Sequence, residues 1–186
     1  QDGSSAIEES VSTLFSQGVV PVAATGNLAG SDHVAQMDIE AGEEKELSFH
    51  IDDQYLYSAF VVSVVWEGEL SELQVSLRSD TEEWTFNSDY EEGRFADMDA
   101  YLWRTQTDRG FSQVLLYGQA VQNNIAPATY RLGFQAQEAN RLRATVTDYS
   151  SGWSRGIFWG SHVVDEGTAL SPSTADSVIA VGAYGG

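Results

Sequence analysis

The sequence predicts a mainly β protein: an antiparallel β-sandwich, jelly-roll-like, flanked at either end by short stretches of α/β character. Three observations carry that expectation. Between residues 31 and 170 short runs of alternating apolar and polar residues are separated by turn residues, which is strand-and-turn patterning. The first 30 residues read differently, as a helical stripe, a glycine and a nearly continuous apolar run, the grammar of an α/β layer. The last segment, 171–186, returns to an uninterrupted apolar run, SVIAVGA. With 42% hydrophobic and 11% aromatic residues, a chain of 186 residues has the material for a sizeable core.

Ser4 to Ser16 is expected to be an amphipathic helix. Ile7, Val11, Leu14 and Phe15 recur at helical spacing, Glu8 and Glu9 suit the positive end of its dipole, and Gly18 supplies a stop. Its apolar stripe is suited to covering one face of a sheet. Val19 to Ala24 then reads as a strand of a parallel sheet, buried on both faces because it does not alternate. It ends at the Gly26-Asn27 turn.

After Gly30 no segment carries convincing helical spacing. The expected strands are Val34–Glu40, Lys45–Ile51, Ala59–Trp66, Glu72–Leu77, Trp84–Asn87, Ala100–Thr105, Ser112–Gln119, Thr129–Gln137, Leu142–Asp148 and Arg155–Trp159. Leu47, Phe49 and Ile51 alternate with polar neighbours, as do Leu73, Val75 and Leu77, and Tyr130, Leu132 and Phe134. One face inward and one wet is the pattern of antiparallel sheets packed as a sandwich. A jelly roll or related sandwich fits this number of strands better than a closed barrel, although sequence does not give their order.

The formal charge of −19 comes from 28 acidic against 9 basic residues and argues against nucleic acid, whose phosphates need clustered Lys and Arg. Lys45 is the single lysine. An acidic surface nearly free of lysine suits a halophilic protein that stays hydrated in high salt, where screening relieves self-repulsion; an ordinary acidic secreted protein is the competing expectation. The absence of cysteine excludes disulfides and thiolate chemistry. No apolar run approaches the length of a membrane span, and the first residues lack the basic and apolar regions of a signal peptide, so no membrane partner is expected and any export signal was removed or lies upstream.

Val19 to Asn27, VVPVAATGN, resembles the oxyanion-hole strand of the subtilisin-like serine peptidases (subtilases, the S8 peptidases). Ser171 to Gly186, SPSTADSVIAVGAYGG, resembles the next core strand of the same family. In compact members a short loop joins these blocks, whereas here roughly 140 residues intervene, enough for an extra domain. The resemblance therefore implies a subtilase core fragment at 1–30, a β-sandwich insertion at 31–170 and a return strand at 171–186. The stretch from Leu142 to Tyr184, with Trp153 and Phe158, also resembles the return from the jelly-roll insertions of certain bacterial subtilases, including clostridial spore-germination peptidases. The localisation it implies is secreted or cell-surface, in a prokaryote.

What the family implies for the site is specific. Asn27 would be catalytic, its side-chain amide donating to the oxyanion of the tetrahedral intermediate. Ala23, Ala24, Thr25 and Gly26 would border the pocket for the substrate side chain that precedes the scissile bond. The family commonly has Ala-Ala-Gly-Asn where this chain has Ala24-Thr25-Gly26-Asn27, so a slightly altered pocket is expected. Taken alone, Gly-Asn is an ordinary turn and small strand residues are ordinary packing; the preceding helix and the two blocks in order favour the site.

The triad motifs are absent from this sequence, so the chain as given is expected to be inactive by itself. His33, His50 and His162 lack the glycine-rich flanks of a catalytic histidine and are read as solvent-facing or core residues. Ser171 and Ser173 lack the helix that follows a nucleophile. The acidic runs Asp52-Asp53, Glu82-Glu83 and Asp89 to Glu92 with Asp97 and Asp99 do not match a calcium loop and read as solvated surface. No cofactor is required, but the family leaves room for a structural calcium held by backbone carbonyls near Ser173, Ala175 and Val178.

The expected partner is a peptide or protein substrate of the intact enzyme. Trp66, Trp84, Trp103, Trp153 and Trp159 are read first as core packing, with an aromatic platform as the alternative. In that alternative the β-sandwich is a binding module for a carbohydrate or protein ligand; in a third reading it is purely structural. The two core segments, lacking the rest of their sheet, are also expected to offer strand edges for self-association.

Overall fold

Leu47, Phe49 and Ile51, the first alternating triplet of the sequence, all point into one apolar layer and are almost completely shielded from solvent. The structure, a computed structural model, describes residues 5–25, 30–52, 58–148, 156–165 and 172–182. Its described elements run in order: helix α1 (Ala6–Ser16), β1 (Val22–Ala24), β2 (Val34–Ile39), β3 (Glu44–Ile51) and β4 (Ala59–Glu67). A 3-10 turn at Leu70–Glu72 leads to β5 (Leu73–Arg78), β6 (Glu83–Phe86), β7 (Tyr90–Phe95) and β8 (Met98–Gln106). The chain continues through β9 (Phe111–Ala120), β10 (Ala128–Ala136), β11 (Asn140–Asp148) and β12 (Ile157–Trp159) to β13 (Ile179–Val181).

Two antiparallel sheets face each other, a five-stranded one in the order β12-β3-β10-β5-β6 and a six-stranded one in the order β2-β11-β4-β9-β8-β7. From β2 to β5 the chain changes sheet at every connection, and it does so again from β9 to β12. On the return pass β11 slots between β2 and β4, and β10 between β3 and β5. That interleaving is the double-sheet connectivity of a jelly roll, so the fold is the mainly β, antiparallel sandwich expected.

Period-two alternation decides what fills the space between the sheets. Phe60, Val62, Val64 and Trp66 from β4 meet Tyr130, Leu132 and Phe134 from β10 and the β3 triplet. Phe49 sits at the aromatic centre, 5.2 Å from Phe60, 5.5 Å from Tyr130 and 5.8 Å from Trp159 between ring centroids. Gly118 is dictated by this packing, because a Cβ there would lie 2.5 Å from the Phe60 ring and 2.9 Å from the Met98 sulfur.

The first and last described segments stand apart from the sandwich. β1 and β13 form a two-stranded parallel sheet in the register Val22↔Ile179, Ala23↔Ala180, Ala24↔Val181. The faces expected to be buried are open: Val22 is 64% and Ile179 53% exposed, and Val19 and Val20 are exposed as well. Ile7, Leu14 and Phe15 on α1 are also exposed, so the helix does not cover a sheet face as expected. The reason is common to both. Burial of a parallel strand needs neighbours and helices on both sides, and among the described residues this sheet has two strands.

Strand Val19–Ala24 is also shorter than expected. Pro21 has no N–H to give to a ladder, and pairing begins where its carbonyl accepts from the Ile179 N–H at 3.0 Å. The helix otherwise closes as read, with Gly18 at φ +85° just beyond its end.

Candidate functional site

The sequence places the candidate site at the C-terminal end of β1, and the local geometry there is set by three segments. α1 begins with a capping box, in which the Ser5 hydroxyl accepts from the Glu8 N–H and the Glu8 carboxylate accepts from the Ser5 N–H at 3.0 Å. Glu8 is only 1% exposed, and its other oxygen accepts from the Thr174 hydroxyl. One carboxylate thus ties the first turn of the helix to the segment that leads into β13. Sequence reading saw Glu8 as a dipole-suited residue and missed this second contact, which only the tertiary arrangement creates.

β1 is held on β13 beyond its last residue. The Thr25 N–H donates to the Val181 carbonyl at 3.0 Å, and the Thr25 hydroxyl lies 3.5 Å from the same oxygen. Ala23 and Thr25 are half-buried and Ala24 is exposed, so the small residues of the expected pocket do lie along one strand end. Gly26 and Asn27, the remaining expected site residues, lie outside the described residues.

The sandwich is joined to these elements through a narrow neck. Where the chain enters, Gly30 donates its N–H to the Asp165 carboxylate at 3.1 Å on the exit side. Gln36 N–H to His162 carbonyl, Val164 N–H to Val34 carbonyl and an antiparallel bridge between Ala35 and Val163 continue the pairing. Trp159 reinforces it by donating its indole N–H to the His33 carbonyl at 3.1 Å. Entry and exit therefore run side by side. A second link crosses from the β8–β9 hairpin, where Arg109 pairs with Asp176 at 2.7 Å.

The histidines have structural surroundings. His33 is buried in the neck with Nδ1 2.6 Å from the Ser31 hydroxyl, and His50 Nδ1 lies 2.7 Å from the Thr129 hydroxyl beside the Phe158 ring. His162 sits at φ +56° within the neck. Ser173 is buried in the turn before β13 and begins no helix, and Ser171 lies outside the described residues.

Several carboxylates of the acidic runs are employed locally, while Asp53 lies outside the described residues. Glu83 joins Glu44 and Glu46 around the Arg78 guanidinium, at 2.8, 2.7 and 2.5 Å, which raises the arginine pKa still further. Partial desolvation pushes the Glu91 carboxyl up, but hydrogen bonds from the Asn87 and Ser88 N–H groups, the Ser88 hydroxyl and the Trp84 indole outweigh it and hold the group below its ordinary range. Asp97 accepts from the Ala126 N–H and faces the Tyr130 hydroxyl at 3.3 Å; burial and then that carboxylate push the Tyr130 phenol far up. Among the described residues no group of three or more Asp, Glu, His or Cys is placed to hold a metal ion.

The tryptophans divide. Trp66 and Trp159 are core residues and Trp84 is half-buried, whereas Trp103 is 38% exposed on the outer face of the six-stranded sheet. Trp153 lies outside the described residues. No described helix is long and apolar enough to cross a membrane.

No protein-family model matches the sequence, and no curated protein matches it either. Among solved structures the chain is similar to that of the Clostridium perfringens CspB protease, with a TM-score of 0.77 and 18% identity. The similarity covers 99% of this chain and 39% of that one, so this chain spans well under half of that protease's length. The two share a fold across the sandwich and the segments flanking it.

Proposed function

We propose that this chain is the part of a subtilisin-like serine endopeptidase that carries the oxyanion-hole asparagine, Asn27, with a β-sandwich inserted between two neighbouring core strands. The observation that carries the reading is the parallel pairing of β1 with β13, Val22↔Ile179 through Ala24↔Val181. Two strands that are adjacent and parallel need a crossover between them, and here the whole sandwich occupies that connection. The fold shared with a protease supports the same reading.

In this reading residues 1–30 and 171–186 belong to the host α/β layer and 31–170 to the insertion. Asn27 follows β1 at the end of a strand clamped by Thr25 to Val181. Its role in this reading is to donate its side-chain amide to the oxygen of the tetrahedral intermediate, and donors of that kind stabilise the transition state more than the substrate. In the same reading Ala23, Ala24, Thr25 and Gly26 border the pocket for the substrate side chain, and the Thr25 hydroxyl lies 3.5 Å from the Val181 carbonyl of β13. A histidine and serine from other segments of the enzyme supply general base and nucleophile.

Replacing Asn27 by Leu in the complete enzyme tests the reading, because Leu keeps the size and removes the donor. The expected result is a kcat lowered about a hundredfold to a thousandfold with KM little changed; that range is the one documented for the equivalent subtilisin donor rather than one calculated for this protein. A kcat within about fivefold of the parent would remove Asn27 from the mechanism.

A further inference from the structure

The outer face of the six-stranded sheet carries an aromatic cluster that neither the core nor the neck uses. Register puts Tyr90 of β7 opposite Trp103 of β8, and Tyr101 of β8 opposite Tyr117 of β9. The rings touch in series: Tyr90 to Trp103 at 5.6 Å, Trp103 to Tyr101 at 6.2 Å with planes 14° apart, and Tyr101 to Tyr117 at 5.9 Å. Tyr90 is 47% and Trp103 38% exposed. Outward positions of a sandwich sheet are ordinarily polar, so a contiguous row of large rings there is a surface built for contact.

Its electrostatic setting is one-sided. The cluster sits on the Asp89–Glu92 run, with Glu92 directly opposite Tyr101 in the ladder. Tyr90 donates its hydroxyl to Glu92, a bond that raises the phenol pKa above its ordinary value of 10.0 and enriches the ring in electron density. Arg94, the one basic side chain of β7, is engaged by Asp99 at 3.1 Å. The surface therefore combines electron-rich ring faces with carboxylates, on a protein of net charge −19. Ring quadrupoles and carboxylates attract the same kind of group, a cation, and the field of the whole chain steers basic partners toward it.

We infer that the Tyr90–Trp103–Tyr101–Tyr117 face binds a Lys- or Arg-bearing segment of a partner protein, the cationic side chains lying over the rings and pairing with the flanking carboxylates. This inference does not rest on the peptidase reading and concerns the β-sandwich alone.

The test is titration of the chain with a peptide of about twelve alternating lysine and glycine residues at physiological ionic strength, read by calorimetry and tryptophan fluorescence. Chitohexaose, a neutral glycan, is titrated in parallel. The expected result is binding of the peptide that weakens about fivefold or more in Trp103→Ala and in Tyr101→Ala, while Glu138→Gln, an exposed carboxylate away from the cluster, changes it less than about twofold. Circular dichroism confirms that each variant retains its strands. Weakening by Glu138→Gln as large as or larger than that in Trp103→Ala and Tyr101→Ala, which leave the net charge unchanged, would take the effect away from the rings and overturn the inference. Absence of peptide binding overturns it too, and Trp103-dependent binding of the glycan would assign the face to carbohydrate instead.

Discussion

The backbone N–H of Thr25 meets the carbonyl of Val181 at 3.0 Å, although the two residues are 156 positions apart in sequence. That bond extends a parallel pair that packs on neither sheet of the sandwich, with Val22, Ile179 and Val181 open to solvent. Two-stranded sheets are marginal without a covered face.

Amides of β1 and β13 are therefore expected to exchange with deuterium at least about a hundredfold faster than those of Leu116 and Leu132 in the sandwich interior. Mass-spectrometric exchange on the chain measures this directly. Equal protection in both places would mean that the parallel pair is buttressed by something beyond the described contacts.

Phe49→Ala should cost about 3–5 kcal/mol of unfolding free energy, because the ring is fully buried against Phe60, Tyr130 and Trp159 and its removal leaves a cavity that two rigid sheets cannot collapse. Urea unfolding followed by tryptophan fluorescence gives the number.

Glu91 supplies an acid-sensitive element. Its carboxyl lies below the ordinary 4.5 in the folded chain, so its contribution is fully present above that value and is lost as pH falls through the lower, folded one. Glu91→Gln should lower stability by a constant amount near neutrality, where the contribution is fully present, and the difference from the parent should shrink as pH falls below about 4.5, flattening the acid limb of the stability–pH curve. An unchanged acid limb would show that the Asn87–Ser88 turn does not discriminate between the two protonation states.

Glu8→Ala removes the acceptor for both the Ser5 N–H and the Thr174 hydroxyl. Exchange of the α1 amides should accelerate about tenfold, in line with the loss of a cap, together with those of residues 172–178. The urea midpoint of the sandwich should stay in place, since Glu8 makes no part of its core.

Self-repulsion among 28 acidic and 9 basic residues should make stability rise with salt. Raising NaCl from about 0.05 M to about 1 M is expected to lift Tm by about 5 °C or more. A flat response would remove the argument for a halophilic setting.

Much of the sandwich was legible because each strand that buries one face writes its burial into alternate residues. Leu73, Val75 and Leu77, and Tyr130, Leu132 and Phe134, point where the alternation says. β7 escaped for the opposite reason. In Tyr90–Phe95 only Phe95 is buried, and its outward residues are charged or aromatic with Gly93 between, so the segment reads as a solvated acidic run. Strand order and the interleaving of β10 and β11 depend on pairings between distant segments and leave no local mark. At the site, the strand bearing Ala23, Ala24 and Thr25 was readable from its two sequence blocks, whereas the Glu8–Thr174 and Arg109–Asp176 links join residues whose spacing in sequence says nothing about their meeting.

Gly30 and Asp165 meet at the root of the sandwich, with Ala35 and Val163 bridged just above them. A detour that leaves and rejoins the main path at a single point imposes no length requirement on that path. Under the proposed insertion, the two strands it interrupts can keep their pairing whatever the length of chain between them. The same geometry makes the sandwich a removable cassette for the engineer, its two ends already close enough to be joined by a turn.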